Sequence, residues 1–310
     1  MRKINILSVN TSKEKGTIKK PVPEIRLTKN GVEGDVHAGS WHRQVSLLGN
    51  ESVMKFEELA GRKIHFGEFA ENITTEGIKL YETNPFDKLY NDKVILEVTQ
   101  IGKKCHGDSC AIFREVGNCV MPKEGIFARV LKSGNMQAGD ELIYEPKVFR
   151  VKIVTLSDRA SKGEYEDRSG PRIEKLLREY FDHIKWRVET ERVVIPDDRD
   201  QLSSILVNEK ESCTDAVFTT GGTGIGARDF TPEVVSNFLD KEIPGIMEMI
   251  RMKYGMEKPN ALLSRGVAGV MGKSLVYTLP GSVKAVNEYM TEITKSMQHL
   301  IYMLHGLDVH

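Results

Sequence analysis

Ala216-Val217-Phe218-Thr219-Thr220-Gly221-Gly222-Thr223-Gly224-Ile225-Gly226, continuing through Ala227-Arg228-Asp229-Phe230-Thr231-Pro232-Glu233, reads as a strand, a glycine-rich turn and a helix start. The first five residues are apolar or β-branched, as in a strand buried on both faces. The glycines let backbone amides approach an anion closely, and a helix start favours negative charge. Thr231-Pro232-Glu233 read as the cap and first turn of that helix. The same loop also fits a turn used only for packing. It is not a Walker A loop, since no Lys-Ser/Thr follows, and it is not GxGxxG.

On both sides of this stretch, strands and helices alternate. Strand-like runs are Phe149–Leu156, Val193–Ile195, Ala216–Thr220 and Leu275–Leu279. Helical patterns cover Pro171–Phe181, Arg199–Asn208, Pro232–Leu239 and a long final segment from about Ser282. Such alternation predicts an α/β domain with a mainly parallel sheet over residues 148–310. In an open parallel sheet, ligands bind beyond the carboxyl ends of the strands. Those ends carry Ser157-Asp158-Arg159, Pro196-Asp197-Asp198, Gly221-Gly222-Thr223-Gly224 with Arg228-Asp229, and Pro280-Gly281-Ser282. Asp197 and Asp229 are therefore expected in one crevice, where carboxylates beside phosphates commonly hold Mg²⁺. Helix capping competes with that role, seriously at Asp197 and less at Asp229, where Thr231 is the better cap. Ser282 fits a phosphate contact or a cap for the final helix. Arg159, Arg228 and Arg265 are candidate phosphate partners, or solvated arginines.

Residues 1–145 follow a different pattern. Short strand-like runs at Ile4–Val9, Val45–Leu48, Val94–Ile101, Phe127–Leu131 and Glu141–Ile143 are separated by glycine turns. Only Glu51–Ala60 looks helical. This predicts a mostly β, barrel-like domain. Three of the four cysteines, Cys105, Cys110 and Cys119, fall in one segment. Lys103 and Lys104 would lower the Cys105 thiol pKa, and a thiolate is a soft metal ligand. Zinc held by Cys105, His106, Cys110 and Cys119 competes, though the spacing is uncommon for zinc; so do inert thiols in a β core.

Composition limits the partners. The 310 residues carry 44 basic and 44 acidic side chains, so no general nucleic-acid binder is expected. No apolar run is long enough for a membrane helix or signal peptide, which predicts a cytoplasmic protein with no membrane partner.

TLSDRASKGEYEDRSGP, VIPDD, TTGGTGIGARDFTPE, LSRG and LPGS, in that order, resemble the molybdopterin adenylyltransferases of the MogA/MoaB type over about Val148–His310. The resemblance implies Mg²⁺, ATP and molybdopterin as ligands, adenylylated molybdopterin and pyrophosphate as products, and Asp197 and Asp229 as the essential aspartates. Ser157, Asp158, Gly221, Gly222, Thr223, Gly224, Ser264, Arg265, Pro280, Gly281 and Ser282 then become substrate or phosphate contacts. The last loop departs from the family's Leu-Pro-Gly-x-Pro, because Val283 replaces the second proline. GVEGDVHAGSWHRQVSLL, FGEFAENITTEGI, LEVTQIGKKCH and EGIFARVLKSGNMQAGDELI resemble the MOSC domain over about Asn5–Ile143. That implies a molybdenum-cofactor site with Cys105 as candidate molybdenum ligand, Cys119 as its rival, and His37 and Arg43 beside it. The joint reading is molybdenum cofactor biosynthesis: adenylylation by the second half, and cofactor binding or delivery by the first. The alternative is a non-catalytic cofactor carrier or scaffold. Relatives of the second half imply a homo-oligomer, trimer or higher. A molybdenum-insertion protein or a molybdoenzyme is the implied recipient.

Overall fold

The computed structural model describes residues 2–104 and 119–308. The chain divides into two compact units, Met1–Lys147 and Val148–His310. Among the described residues, no helix is long and apolar enough to cross a membrane.

The first unit runs β1 (Arg2–Thr11), β2 (Lys20–Val22), β3 (Glu24–Thr28), β4 (Gly31–Val32), β5 (Val45–Gly49) and α1 (Asn50–Ala60). It continues with β6 (Ile73–Glu76), β7 (Lys88–Tyr90), β8 (Ile95–Ile101), β9 (Ile126–Lys132), β10 (Gly134–Gln137) and β11 (Glu141–Glu145). The large sheet has the order β11-β7-β8-β9-β5-β6-β1-β2, and β11 also pairs with β1. Seven strands thus close into a barrel, with β2 appended to β1. The seam is antiparallel, Arg2 opposite Tyr144 and Asn5 opposite Glu141. Closure leaves no free edge around the ring. Alternation supplies the core: Ile4 and Ile6 point inward while Lys3 and Asn5 face out. The barrel-like expectation is met. Six short strands (β2, β3, β4, β6, β7 and β10) add to the five runs read from the sequence.

The second unit runs β12 (Val148–Leu156), α2 (Asp158–Ser161), α3 (Ser169–His183), β13 (Arg187–Ile195), α4 (Arg199–Glu211), β14 (Ala216–Thr220) and α5 (Thr231–Ser236). Then come β15 (Lys241–Glu242), α6 (Pro244–Gly255), β16 (Ala268–Met271), β17 (Ser274–Leu279) and α7 (Val283–Leu304). The sheet order is β13-β12-β14-β17-β16-β15. The first four strands are parallel; β16 and β15 join antiparallel. The chain leaves β12 toward β13 and leaves β14 toward β17, so the order reverses between β12 and β14. That reversal opens the crevice expected at a switch point.

Packing on the two faces fixes this geometry. Val154 and Leu156 of β12 pack with Leu202 and Leu206 of α4 and Val234 and Val235 of α5. On α3, Ile173, Leu177 and Phe181 are buried, a helical stripe, and the Phe181 ring lies 5.6 Å from Phe149 of β12. The helix expected over Pro232–Leu239 ends at Ser236. Helix α6 was not anticipated, because its methionines give no single apolar face: Met247 is buried while Met249 and Met252 are exposed.

Candidate active site

The loop after β14 is held by its backbone. Gly221 and Gly222 take φ of +105° and +64°, a region open to glycine. A side chain on Gly221 would run into the Leu156 carbonyl oxygen of β12, and one on Gly222 into the Thr231 hydroxyl. The Gly221 N–H donates to Leu279 O at 3.0 Å and the Thr231 N–H to Gly222 O at 3.1 Å. Arg265 braces the far side. Its Nε donates to Gly224 O at 2.7 Å, its Nη2 to Asp229 O at 2.6 Å, and its Nη1 pairs with Glu233. Each guanidinium nitrogen of Arg265 therefore has a protein partner, and Arg265 braces the loop.

A cavity of about 610 Å³ opens where the order reverses, lined by Ser157, Asp158, Asp197, Gly222, Arg228 and Asp229 among others. The two aspartates singled out by the sequence share it. Capping does not claim Asp197: its neighbour Asp198 caps α4, accepting from the N–H groups of Asp200 and Gln201 at 2.9 Å each. Asp229 accepts the Gly226 N–H at 2.8 Å. Asp158 accepts the Asp197 N–H at 3.0 Å and pairs with Arg228. Burial, followed by the charges of Asp158 and Asp229, pushes the Asp197 carboxyl above its usual range against the opposing pull of Arg228.

Other expected contacts have structural duties. Ser157 caps α2 through Ala160 N–H at 3.2 Å, and Ser282 caps α7 through Ala285 N–H at 3.2 Å. Ser264 accepts from the Tyr289 hydroxyl at 2.8 Å. Thr231 does not cap α5, contrary to expectation: the helix begins at Thr231 itself, and its buried hydroxyl has no partner among the described residues. Thr223 is buried, and Gly224 lies against Asp229. Thr220 Oγ1 donates to Pro280 O at 2.9 Å, which ties the glycine loop to the Pro280-Gly281 turn. Sequence reasoning gave Asp167 and Ser169 no role. Asp167 accepts from Ser169 N, Gly170 N and Thr155 Oγ1, and Ser169 Oγ donates to Gly281 O at 2.7 Å. The signal was the Asp-x-Ser-Gly-Pro run at the start of α3, a helix-entry pattern.

In the first unit, Cys105, His106 and Cys110 lie outside the described residues. Cys119 is half-buried and packs against a cluster that includes Phe56, Phe69 and Met121. The His37 N–H donates to Asp35 Oδ1 at 3.0 Å, and the His37 ring Nδ1 lies 3.4 Å from Lys19 Nζ. Lys19 and Asp35 form a fully buried ion pair. The Arg43 guanidinium sits over Trp41 at 4.7 Å and Phe127 at 5.8 Å. His37 and Arg43 thus flank one loop, but the structure does not connect them to a described thiol ligand.

A family described as a probable molybdopterin binding domain matches residues 152–299, and the MOSC domain matches residues 34–143. Molybdopterin adenylyltransferase of Helicobacter pylori strain J99 is 35% identical over 163 residues, covering 52% of this chain and 90% of the relative. The chain belongs to the molybdopterin adenylyltransferase family. Molybdenum cofactor biosynthesis protein B of Bacillus cereus is 37% identical over 164 residues, covering 52% and 93% of the two chains. Molybdopterin adenylyltransferase of Escherichia coli K12 is 34% identical over 162 residues, covering 51% and 80%. Family membership rests on the second unit, and the MOSC domain lies within the first.

The MOSC domain carries a pH-dependent element of stability. Burial pushes the Glu71 carboxyl up to about 7, although it accepts from Gly67 N–H and Thr74 Oγ1. The folded state therefore keeps a proton that the unfolded chain releases near pH 4.5. Stability from this group is complete below pH 4.5 and is lost as pH rises through 7, about 3 kcal/mol in all. Urea unfolding followed through Trp41 fluorescence will show this loss between about pH 4.5 and 7. Glu71→Gln will remove that component; an identical pH slope in the variant would exclude Glu71 as its source.

Proposed function

We propose that the second unit transfers the adenylyl group of ATP to a terminal phosphate of molybdopterin, and that the MOSC domain binds or delivers the cofactor. The observation that carries this reading is the meeting of Asp197, Asp229 and Gly222 in one cavity at the sheet's switch point, in a chain of this family. A phosphate oxygen of the pterin attacks the α-phosphorus of ATP, a P–O bond forms, the bond to the β-phosphate oxygen breaks, and pyrophosphate leaves. A phosphate nucleophile is already ionised, so no general base is required. The protein's work is positioning and charge neutralisation.

Asp197 and Asp229 fit a divalent ion. Their oxygens are hard donors, and the burial and, after it, the neighbouring negative charge that raise the Asp197 carboxyl are costs a cation would offset. Among the described residues, no three His, Cys, Asp or Glu side chains form a ready-made metal centre, so phosphate oxygens and water would complete the shell. Mg²⁺, when bound, supplies charge neutralisation at the phosphates. Asp197 and Asp229 would hold the ion, the glycine loop would line the phosphate side, and Arg265 keeps that loop in shape.

Incubation of the intact chain with molybdopterin, ATP and Mg²⁺ is expected to release pyrophosphate and form adenylylated pterin in equal amounts. Binding of the pterin with neither product would replace this reading with that of a carrier or scaffold.

A further inference from the structure

Asp158 is the carboxylate of the crevice whose two oxygens are both taken by protein. Oδ1 accepts the Asp197 backbone N–H at 3.0 Å, and Oδ2 pairs with the Arg228 guanidinium. One side chain therefore spans the mouth from the strand end of β13 to the loop that carries Asp229. The two bonds differ in kind. The bond to Asp197 is partly buried and made by backbone, whereas Arg228 is 74% exposed and Asp158 28%. An exposed arginine–carboxylate pair favours its closed form by no more than about fivefold. A polyphosphate offers several anionic oxygens and bidentate geometry, enough to win the guanidinium away.

We propose that Asp158 is a positioning residue with two separable duties: Oδ1 fixes the Asp197 backbone, and Oδ2 latches Arg228 across the crevice until an incoming polyphosphate draws the arginine off. The proposal rests on the reading that this crevice takes ATP. When the latch opens, Asp158 keeps its grip on Asp197 and keeps its charge. The sequence placed Asp158 among the phosphate contacts; the geometry makes it the residue that releases one.

The duties separate in the full chain. Asp158→Asn retains an oxygen for the Asp197 N–H and loses the charge that holds Arg228. Its KM for ATP, and its Kd for a non-hydrolysable ATP analogue with Mg²⁺, are expected to fall by up to about fivefold. Asp158→Ala loses both duties, and its kcat is expected to fall at least about tenfold, because a small misplacement of Asp197 is costly. Restoration of kcat by Asn relative to Ala is the signature of positioning. In an Arg228→Ala background, which itself raises KM, Asp158→Asn should no longer change KM or Kd. Equal kcat losses in Asn and Ala, or a KM gain that persists without Arg228, would overturn the latch. Asp229→Asn is assayed in parallel: full turnover there refutes the crevice as the ATP site, whereas lost turnover with no effect of Asp158 refutes the latch alone.

Discussion

Asp229→Asn will lower adenylyl transfer by at least about 10²-fold and leave the second unit folded, as expected for removal of one preorganised charge from a phosphoryl-transfer site. The shape of the site allows such a clean separation. Asp229 accepts the Gly226 N–H through Oδ2, and Asn retains an oxygen that can do the same. Side chains added at Gly224 and Gly226 would lie 2.7 and 2.9 Å from that oxygen, so the loop is wrapped around the carboxylate's volume, which Asn conserves. The lost quantity is the negative charge that, under the proposed function, would hold a divalent ion beside the phosphates. Steady-state pyrophosphate release together with a urea unfolding curve measures both parts. Turnover near the wild-type value would remove Asp229 from the site.

Gly221→Ala is expected to destabilise the second unit by about 2–4 kcal/mol, from left-handed strain and steric overlap together. At φ +105° an L-residue is strained whatever space surrounds it. Here the added carbon also meets the Leu156 carbonyl at the end of β12, main chain that cannot swing aside as a side chain could. Gly163 separates the two causes: its φ is +75°, yet nothing lies within 4 Å of an added carbon. Gly163→Ala should cost about 1 kcal/mol. Unfolding midpoints followed through Trp186 would give both values, and equal losses at the two glycines would show that close approach contributes nothing.

The contrast between those glycines also shows what the sequence could convey. Ala216–Thr220 was read at its observed bounds because an apolar, β-branched run between turn signals has few other solutions. The stripe Ile173, Leu176, Leu177, Tyr180 and Phe181 identified α3 in the same way, and Ile173, Leu177 and Phe181 of it are buried. Strands such as β4, two residues long, carry no pattern and exist through the partners they pair with. The crevice was legible as a set of strand ends, since chain order and sheet direction place them. The division of labour inside it was not. Asp197 and Asp198 are adjacent and chemically identical, and only backbone direction decides that Asp198 caps the helix. At Arg265 the sequence shows a charge and hides the carbonyls it braces. The buried pair of Lys19 and Asp35, sixteen residues apart, resembles two solvated charges until the barrel closes over it.

The β1–β11 seam has a consequence for how the polypeptide matures. Arg2 precedes Tyr144 by 142 positions in the chain, yet they lie opposite each other. Through nearly all of that interval β1 has no partner on its β11 side, and its exposed amides can recruit another strand. Contacts so distant along the chain are slow to form, whereas β12, α3 and β13 are close neighbours that can assemble as they emerge. A nascent chain stalled before Glu141 is therefore the form most exposed to mispairing, and its companion on the barrel rim is the segment a chaperone would have to shield.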